Sequence, residues 1–174
     1  YIARYEARTQ KERTVSTDDE ELTQLTLKPD EYVYNYVTQS QAASLSQGMY
    51  VENSNFISDL MNSYAWDTAV DFLQKCDNRE GINKKPYSMQ SSLNNSLAKK
   101  GTNNESTKDQ ICNIFDMASN CYEWITETHS NDYYPCVLRG CSYSLRSNYT
   151  VYRNGYSEIN SYDNNTFRPI LYIK

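Results

Sequence analysis

"NIFDMASNCYEW", Asn113–Trp124, is the stretch whose reading decides the fold. It mixes apolar Ile114, Phe115, Met117 and Ala118 with Asn and Asp at positions that suit turns. Trp124 ends it as an expected core residue. From Gln110 onward the chain reads as short strands. "YPCVLRGCSYS" (Tyr134–Ser144) is a strand broken at Gly140, and "TFRPILYIK" (Thr166–Lys174) is a closing strand.

Upstream the texture is different. "YIARYEA" (Tyr1–Ala7) reads as a strand, and Arg8 to Glu31 as a charged loop with a strand end. "TQSQAASLSQG" (Thr38–Gly48) is a helix with its own punctuation. Thr38 caps it, Gln41 completes a capping box, Gly48 ends it, and Ala42, Leu45 and Met49 share roughly one face. The strongest helical signal lies before Cys76, where Trp66, Ala69, Val70 and Leu73 recur at three and four residues, with Ser63 as the expected N-cap. Asp77 to Asp109 is rich in Asn, Ser and Lys and reads as surface loop packed on the domain. Asn104-Glu105-Ser106 fits a glycosylation pattern there, which matters only in a secretory setting. The order strand, helix, helix, long loops and then short strands makes an α+β chain with an antiparallel sheet at its end.

The bulk numbers narrow the function classes. A chain of 174 residues is one domain by length. Its 39% apolar share leans on 17 Tyr, which favour half-buried positions. The net charge of −5 and the scattered basic residues argue against nucleic acid as a partner. No apolar run is long enough to span a membrane. The five cysteines, odd in number and without Cys-x-x-Cys, read as small buried hydrophobes and not as a disulfide framework. That slightly favours a cytoplasmic origin; a virion or bacterial cell surface stays open, and Tyr1 says nothing of what precedes it.

Three pieces, in order, now resemble one family. "NIFDMASNCYEW" is similar to the N-x-x-D-M-A-G-N-V-W-E-W segment of the formylglycine-generating enzyme (sulfatase-modifying factor) family. "LRGCSYS" (Leu138–Ser144) resembles its R-G-G-S-W, and "FRPILYI" (Phe167–Ile173) its closing G-F-R. "YAWDTAVDFL" (Tyr64–Leu73) takes the place of its E-A-E-W-E-Y-A helix. The resemblance implies a C-type-lectin-like fold of the formylglycine-generating-enzyme type: two helices and a small antiparallel sheet with long loops. The family's copper oxidases carry two cysteines that fall here at Leu145 and Thr150, so no thiolate stands at either place. Cys136 and Cys141 have the same spacing, but an odd offset along a strand points them to opposite faces. The branch that uses non-haem iron needs several histidines, and this chain has only His129, read as a surface residue beside Ser130 and Asn131. The run Asp18-Asp19-Glu20-Glu21 reads as solvated charge. No catalytic residue is assigned, and the expectation is that the chain is not an enzyme.

The family also binds structural calcium around its G-N-x-W-E-W turn. The matching ligands here are Asp116, the Ser119 and Cys121 carbonyls, and Glu123, with Ser119 and Tyr122 departing from the family's Gly and Trp. The competing reading is that Asp116 and Glu123 accept hydrogen bonds that hold the turn.

The tail points to a second group with this fold, the variable proteins of diversity-generating retroelements, found in phages and bacterial surface systems. These are binding proteins whose C-terminal segment is rewritten at adenines, yielding mostly Asn, Tyr, Ser, Asp, His and Thr. Asn131–Lys174 holds 8 Tyr, 6 Asn and 5 Ser, which is also a good alphabet for a binding surface. The resemblance divides the single domain 1–174 into a scaffold, 1–130, and a variable, ligand-binding segment, 131–174. The expected contact residues are Tyr143, Leu145, Arg146, Asn148, Tyr149 and Tyr152, then Arg153, Asn154, Tyr156, Asn160 and Tyr162. Arg139, Gly140, Phe167 and Arg168 anchor the two ends, and Cys141 and Thr166 stand where the family has Gly. The implied partner is a protein or other macromolecule. Asn is abundant throughout the chain, so a non-diversified lectin-like binding or structural protein stands as the alternative, with a family oxidase third.

Overall fold

The computed structural model describes residues 1–16, 24–77, 85–91, 96–101, 109–145 and 147–174. Three short strands, β1 (Arg8–Thr9), β2 (Leu25–Thr26) and β3 (Tyr32–Val33), form a small antiparallel sheet in the order β2-β1-β3. Helix α1 (Gln39–Gly48) follows. Thr38 caps it, and the reciprocal bond from the Thr38 backbone to Gln41 completes the capping box. Ala42 and Leu45 are buried; Met49 is only half-buried, and Ser46 takes the third inward place by donating its hydroxyl to the Ala42 carbonyl, 2.8 Å.

Strand β4 (Phe56–Leu60) leads into α2 (Ser63–Cys76). Its N-cap is Asn62 and not Ser63: Asn62 accepts from the Ala65 amide at 2.9 Å, leaving the Ser63 hydroxyl to bond Glu127. Trp66, Ala69, Val70 and Leu73 are all buried, as their spacing predicts. A 3-10 turn at Tyr87–Met89 follows.

The second half is strand after strand: β5 (Gln110–Ile111), β6 (Ile114–Phe115), β7 (Tyr122–Thr128), β8 (Cys136–Arg139), β9 (Arg153–Tyr156), β10 (Asn165–Phe167) and β11 (Pro169–Ile173). The main sheet runs β10-β7-β8-β9. It is mixed and not purely antiparallel, because β10 lies parallel to β7, with Phe167 opposite Trp124. The expected closing strand is therefore two strands. Arg168 separates β10 from β11, and β11 leaves the main sheet to pair with β4. Tyr1–Ala7 is not a regular strand, and it bends at Arg4, Tyr5 and Glu6. It tracks β11 through Ile2 opposite Ile170 and an Ala3 amide bond to the Pro169 carbonyl, 3.0 Å, before β1 begins at Arg8.

Alternation along β7 and β8 gives the main sheet two apolar faces. Ile125 and Val137 pack with Trp66, Val70 and Leu73 of α2. Tyr122, Trp124 and Leu138 pack with Ala42 and Leu45 of α1, with Val37 and with Phe167. Trp66 and Trp124 sit at the centres of these two cores, both fully buried. Truncating either to Ala costs about 3–5 kcal/mol. No described helix is long and apolar enough to cross a membrane.

Candidate ligand-binding surface

The tail leaves β8 at Gly140, whose φ of +83° only glycine adopts cheaply. A Cβ there would also lie 3.1 Å from the Trp66 ring. Before it, Arg139 is buried, pairs with Asp67 and lies 5.9 Å from the Trp66 ring centre. After the tail, Phe167 and Arg168 are fully buried. Both ends are thus fixed in the two cores. The intervening loop is closed at its base by the Gly140 amide, which donates to the Tyr152 carbonyl at 3.2 Å.

The residues standing where the family has Gly fit without strain. Neither Cys141 nor Thr166 has a positive φ. The Cys141 thiol lies 3.0 Å from the Asn148 carbonyl, and the Thr166 hydroxyl donates to the Tyr34 carbonyl at 3.0 Å. Thr150, at one place of the oxidase cysteines, is buried and donates to the Tyr87 and Gln90 carbonyls. Leu145, at the other, is exposed.

Part of the tail converges on one residue of β7, Tyr122. The Tyr152 and Tyr156 rings lie 5.9 and 6.4 Å from the Tyr122 ring, and Tyr156 stands edge-on to Trp124 at 6.3 Å. Asn148 donates its side-chain amide to the Tyr122 hydroxyl at 2.6 Å. Asn154 faces the same way, opposite Leu138, and bonds Tyr156. Burial, the largest cause, raises the Tyr122 and Tyr156 hydroxyls above the ordinary phenol range. They remain neutral O–H groups that can both donate and accept.

A second seam joins the two halves of the tail. Tyr143 donates to Asp163 at 2.5 Å, and Asn164 donates to the Ser144 hydroxyl at 2.8 Å. Burial, then the Asp163 carboxylate, push the Tyr143 hydroxyl up, so it too stays protonated. The Tyr162 carbonyl accepts from the Tyr36 amide at 3.1 Å while its side chain is exposed. Tyr149 and Leu145 are exposed, and Asn160 is half-buried. Arg146 lies outside the described residues.

Arg153 belongs elsewhere. It lies opposite Arg139 on the α2 face of the sheet, where it pairs with Glu127. That ion pair, more than any other influence, holds the Glu127 carboxyl below its usual range. The expected contact residues therefore divide: Asn148, Tyr152 and Tyr156 gather over Tyr122 with Asn154 on the same face beside Tyr156, Tyr143 is tied to Asp163, and Arg153 faces away. Sequence reasoning missed Tyr122 as the floor and Asp163 as the tether. The only signal for Tyr122 was its place at the family's Trp.

The turn matched to a calcium site is built on ion pairs. Glu123 takes a two-pronged contact from Arg168, with oxygens 2.6 and 3.1 Å from the guanidinium. Asp116 lies 3.2 Å from Arg8, and Arg8 is 4.0 Å from Glu6. Asp116 and Asn120 hold positive φ, which Asp and Asn tolerate. Ser119 does not, so its replacement of Gly costs no backbone strain; its hydroxyl lies 3.4 Å from both Asp109 and Asp116. The Cys121 amide donates to Glu6 at 3.2 Å. Glu6, Arg8, Asp116, Glu123 and Arg168 are all buried. Burial raises Glu6 well above the ordinary carboxyl range, with Asp116 adding to it. Since Arg8 and Arg168 neutralise the proposed ligand carboxylates, a calcium ion on this donor set would have to displace them. Among the described residues no three His, Cys, Asp or Glu side chains form a metal cluster. His129, half-buried, accepts from the Asn131 amide at 3.2 Å. The run Asp18–Glu21 and the Asn104 sequon lie outside the described residues.

No protein-family model matches the sequence, and no curated protein does. Solved structures do match. Treponema denticola variable protein 1 superposes with a TM-score of 0.60 at 13% identity, over 97% of this chain and 82% of that one. CarF superposes with a TM-score of 0.59 at 11% identity, over 82% and 68%. PvdO from Pseudomonas aeruginosa gives 0.52 at 11% identity, over 83% and 63%. At such identities the likeness carries the fold, and that fold is C-type-lectin-like and α+β.

Proposed function

We propose that this chain is a non-catalytic binding protein of the retroelement variable type. It is built on the formylglycine-generating-enzyme variant of the lectin-like fold and displays its tail to a protein or other macromolecular ligand. The observation that carries this reading is the tail's construction. Both ends are fixed by buried Arg139 and Arg168, while half-buried Asn148, Tyr152 and Tyr156 converge over Tyr122, with exposed Asn154 on the same face. Tyr and Asn in that setting supply contact area and hydrogen bonds with little entropy left to lose. The variable protein among the structures of like fold supports it, as does the absence of thiols at positions 145 and 150. Under the same proposal 1–130 is scaffold and 131–174 the variable segment.

The test is deep sequencing of the gene's 3′ end across a population of its host. Substitutions concentrated between Ser142 and Asn165, and falling at template adenines, are the expected result. A 3′ end as uniform as the rest of the gene overturns the diversified reading.

One observation favours the alternative of a fixed binding domain. Tyr143–Asp163, Asn164–Ser144 and Asn148–Tyr122 are specific pairs inside the tail, and random rewriting would break them. Calcium at Asp116 and Glu123 is a separate proposal, and it requires the melting temperature to differ between calcium and chelator.

A further inference from the structure

Side chains alternate along β4, so Phe56, Ser58 and Leu60 share one face of the strand. Leu60 packs there with Ala42 and Leu45 of α1. Helix α1 stops at Gly48, and past its end Met49 and Tyr50 bound a gap over Ser58. Tyr50 stands edge-on to Phe56, with ring centres 6.4 Å apart. Ser58 lies opposite Leu171 of β11 and is only 4% exposed, and its Oγ has no hydrogen-bond partner among the described residues. A hydroxyl withdrawn from water and left unbonded costs stability, so its presence asks for a partner.

The space beside it is the right kind to supply one. A cavity of about 140 Å³ is walled by Leu27, Met49, Tyr50, Pro169 and Leu171, with Ser58 as its one serine or threonine. An apolar cavity of roughly 150 Å³ takes a single benzene ring. A second, more polar groove of about 340 Å³ meets the cavity at Tyr50 and Ser58, which line both. The charged residues of the groove are already engaged within the chain. Asp59 accepts from Gln47 at 3.1 Å and from the Leu60 amide at 2.8 Å, and Lys174 Nζ donates to the Asn53 carbonyl at 3.4 Å.

We propose that Ser58 marks a binding site for a small, neutral, amphipathic molecule. A single ring or branched alkyl end fills the inner cavity, and a hydroxyl or carbonyl next to it bonds the Ser58 hydroxyl where cavity and groove meet. The rest of the molecule lies along the groove. Serine has one side-chain torsion to its hydroxyl, and a change of that rotamer turns Oγ toward the cavity that the residue lines. None of the walls is among the expected contact residues of the tail, so the site is independent of what the tail binds.

The test is an amide-resolved NMR titration of the folded chain with benzyl alcohol, and with toluene as its counterpart lacking the hydroxyl. Benzyl alcohol should shift the signals of Met49, Tyr50, Ser58 and Leu171 along one saturable curve. Its ring should give nuclear Overhauser contacts to the Leu27 and Leu171 methyls. Ser58→Ala keeps the cavity and removes the hydroxyl. It should weaken benzyl alcohol by about fivefold, the worth of one neutral hydrogen bond, and leave toluene unchanged. The variant should melt no lower than the parent, since the lost hydroxyl had no partner in the fold. Absence of the ring contacts means that the cavity holds water only and overturns the proposal. Equal binding of benzyl alcohol by parent and variant does so too, because the hydroxyl is then not read. A variant that melts clearly lower or does not fold also overturns it, by showing that the hydroxyl serves the fold.

Discussion

Tyr122 and Glu123 are neighbours on β7 and face opposite ways. Behind Glu123, polar groups are buried and mutually committed: two arginines, three carboxylates and the backbone carbonyls of Ala3 and Phe115 take up one another's hydrogen bonds. Around Tyr122, the polar residues Asn148, Tyr152 and Tyr156 are only half-buried. The first arrangement holds the fold together, with Arg8 Nε the one nitrogen of its two guanidinium groups left without a partner among the described residues. The second leaves aromatic faces and neutral donors available. Polar residues in a domain can be structural or receptive, and the degree of burial decides which.

The comparison breaks most readily on the closed face. Arg168→Ala removes both contacts to Glu123 and leaves that carboxylate buried without its partner, together with the Ala3 and Phe115 carbonyls. The expected cost is about 3–5 kcal/mol. In urea or thermal unfolding this is a fall on the order of 10 °C for a chain of this length. Glu123→Ala should cost a similar amount, and the double variant less than the two singles together, because the pair is removed whole. If Arg168→Ala melts like the parent, the closed face is not closed.

A pH series sharpens the same side. Burial raises the folded-state carboxyls of Glu6 and Glu123 above their ordinary range. The folded state then holds protons that the unfolded chain gives up, so this contribution to stability is full below about pH 4.5 and is lost as pH rises through the raised values. Glu127 works in the opposite direction, since its carboxyl is lowered and its contribution is lost as pH falls. Glu6→Gln removes one titrating group while keeping an acceptor for the Asn120 amide, which lies 2.9 Å from Glu6. The variant should lose less stability than the parent between pH 5 and pH 8. An identical pH slope in both proteins would mean that Glu6 titrates as an ordinary surface carboxyl.

Much of the open face was legible and much of the closed face was not. The period of Trp66, Ala69, Val70 and Leu73 announced α2, and Thr38 with Gln41 announced the start of α1. The cap of α2 slipped by one residue because Asn62 and Ser63 are both good caps, and only the bond to Ala65 distinguishes them. "YIARYEA" reads as a strand in the sequence, and nothing in it marks Glu6 as buried. Glu6 and Arg8 are buried, yet local pattern cannot separate a buried ion pair from a solvated one, because the partners Asp116 and Asn120 lie more than a hundred residues away. The parallel pairing of β10 with β7 was hidden for the same reason. The composition of the tail marked it as a surface, but which residues share a face follows from register: Asn154 sits opposite Leu138 and Arg153 opposite Arg139. A one-residue shift would exchange the two sets.

The smallest expected effects lie on the open face. Tyr122→Phe keeps the ring that Tyr152 and Tyr156 pack on and removes the hydroxyl that Asn148 contacts. Asn148 is half-buried, so its amide can turn to water, and the loss should be about 1 kcal/mol in thermal unfolding. Tyr149→Ala, at an exposed position, should stay within about 0.5 kcal/mol of the parent. These small numbers are what a receptive surface requires, because a segment that changes without unfolding its domain must contribute little to its stability. If Tyr122→Phe costs as much as Arg168→Ala, the tyrosine cluster is core, and the proposed binding surface is left with the exposed residues around Leu145, Tyr149 and Tyr162.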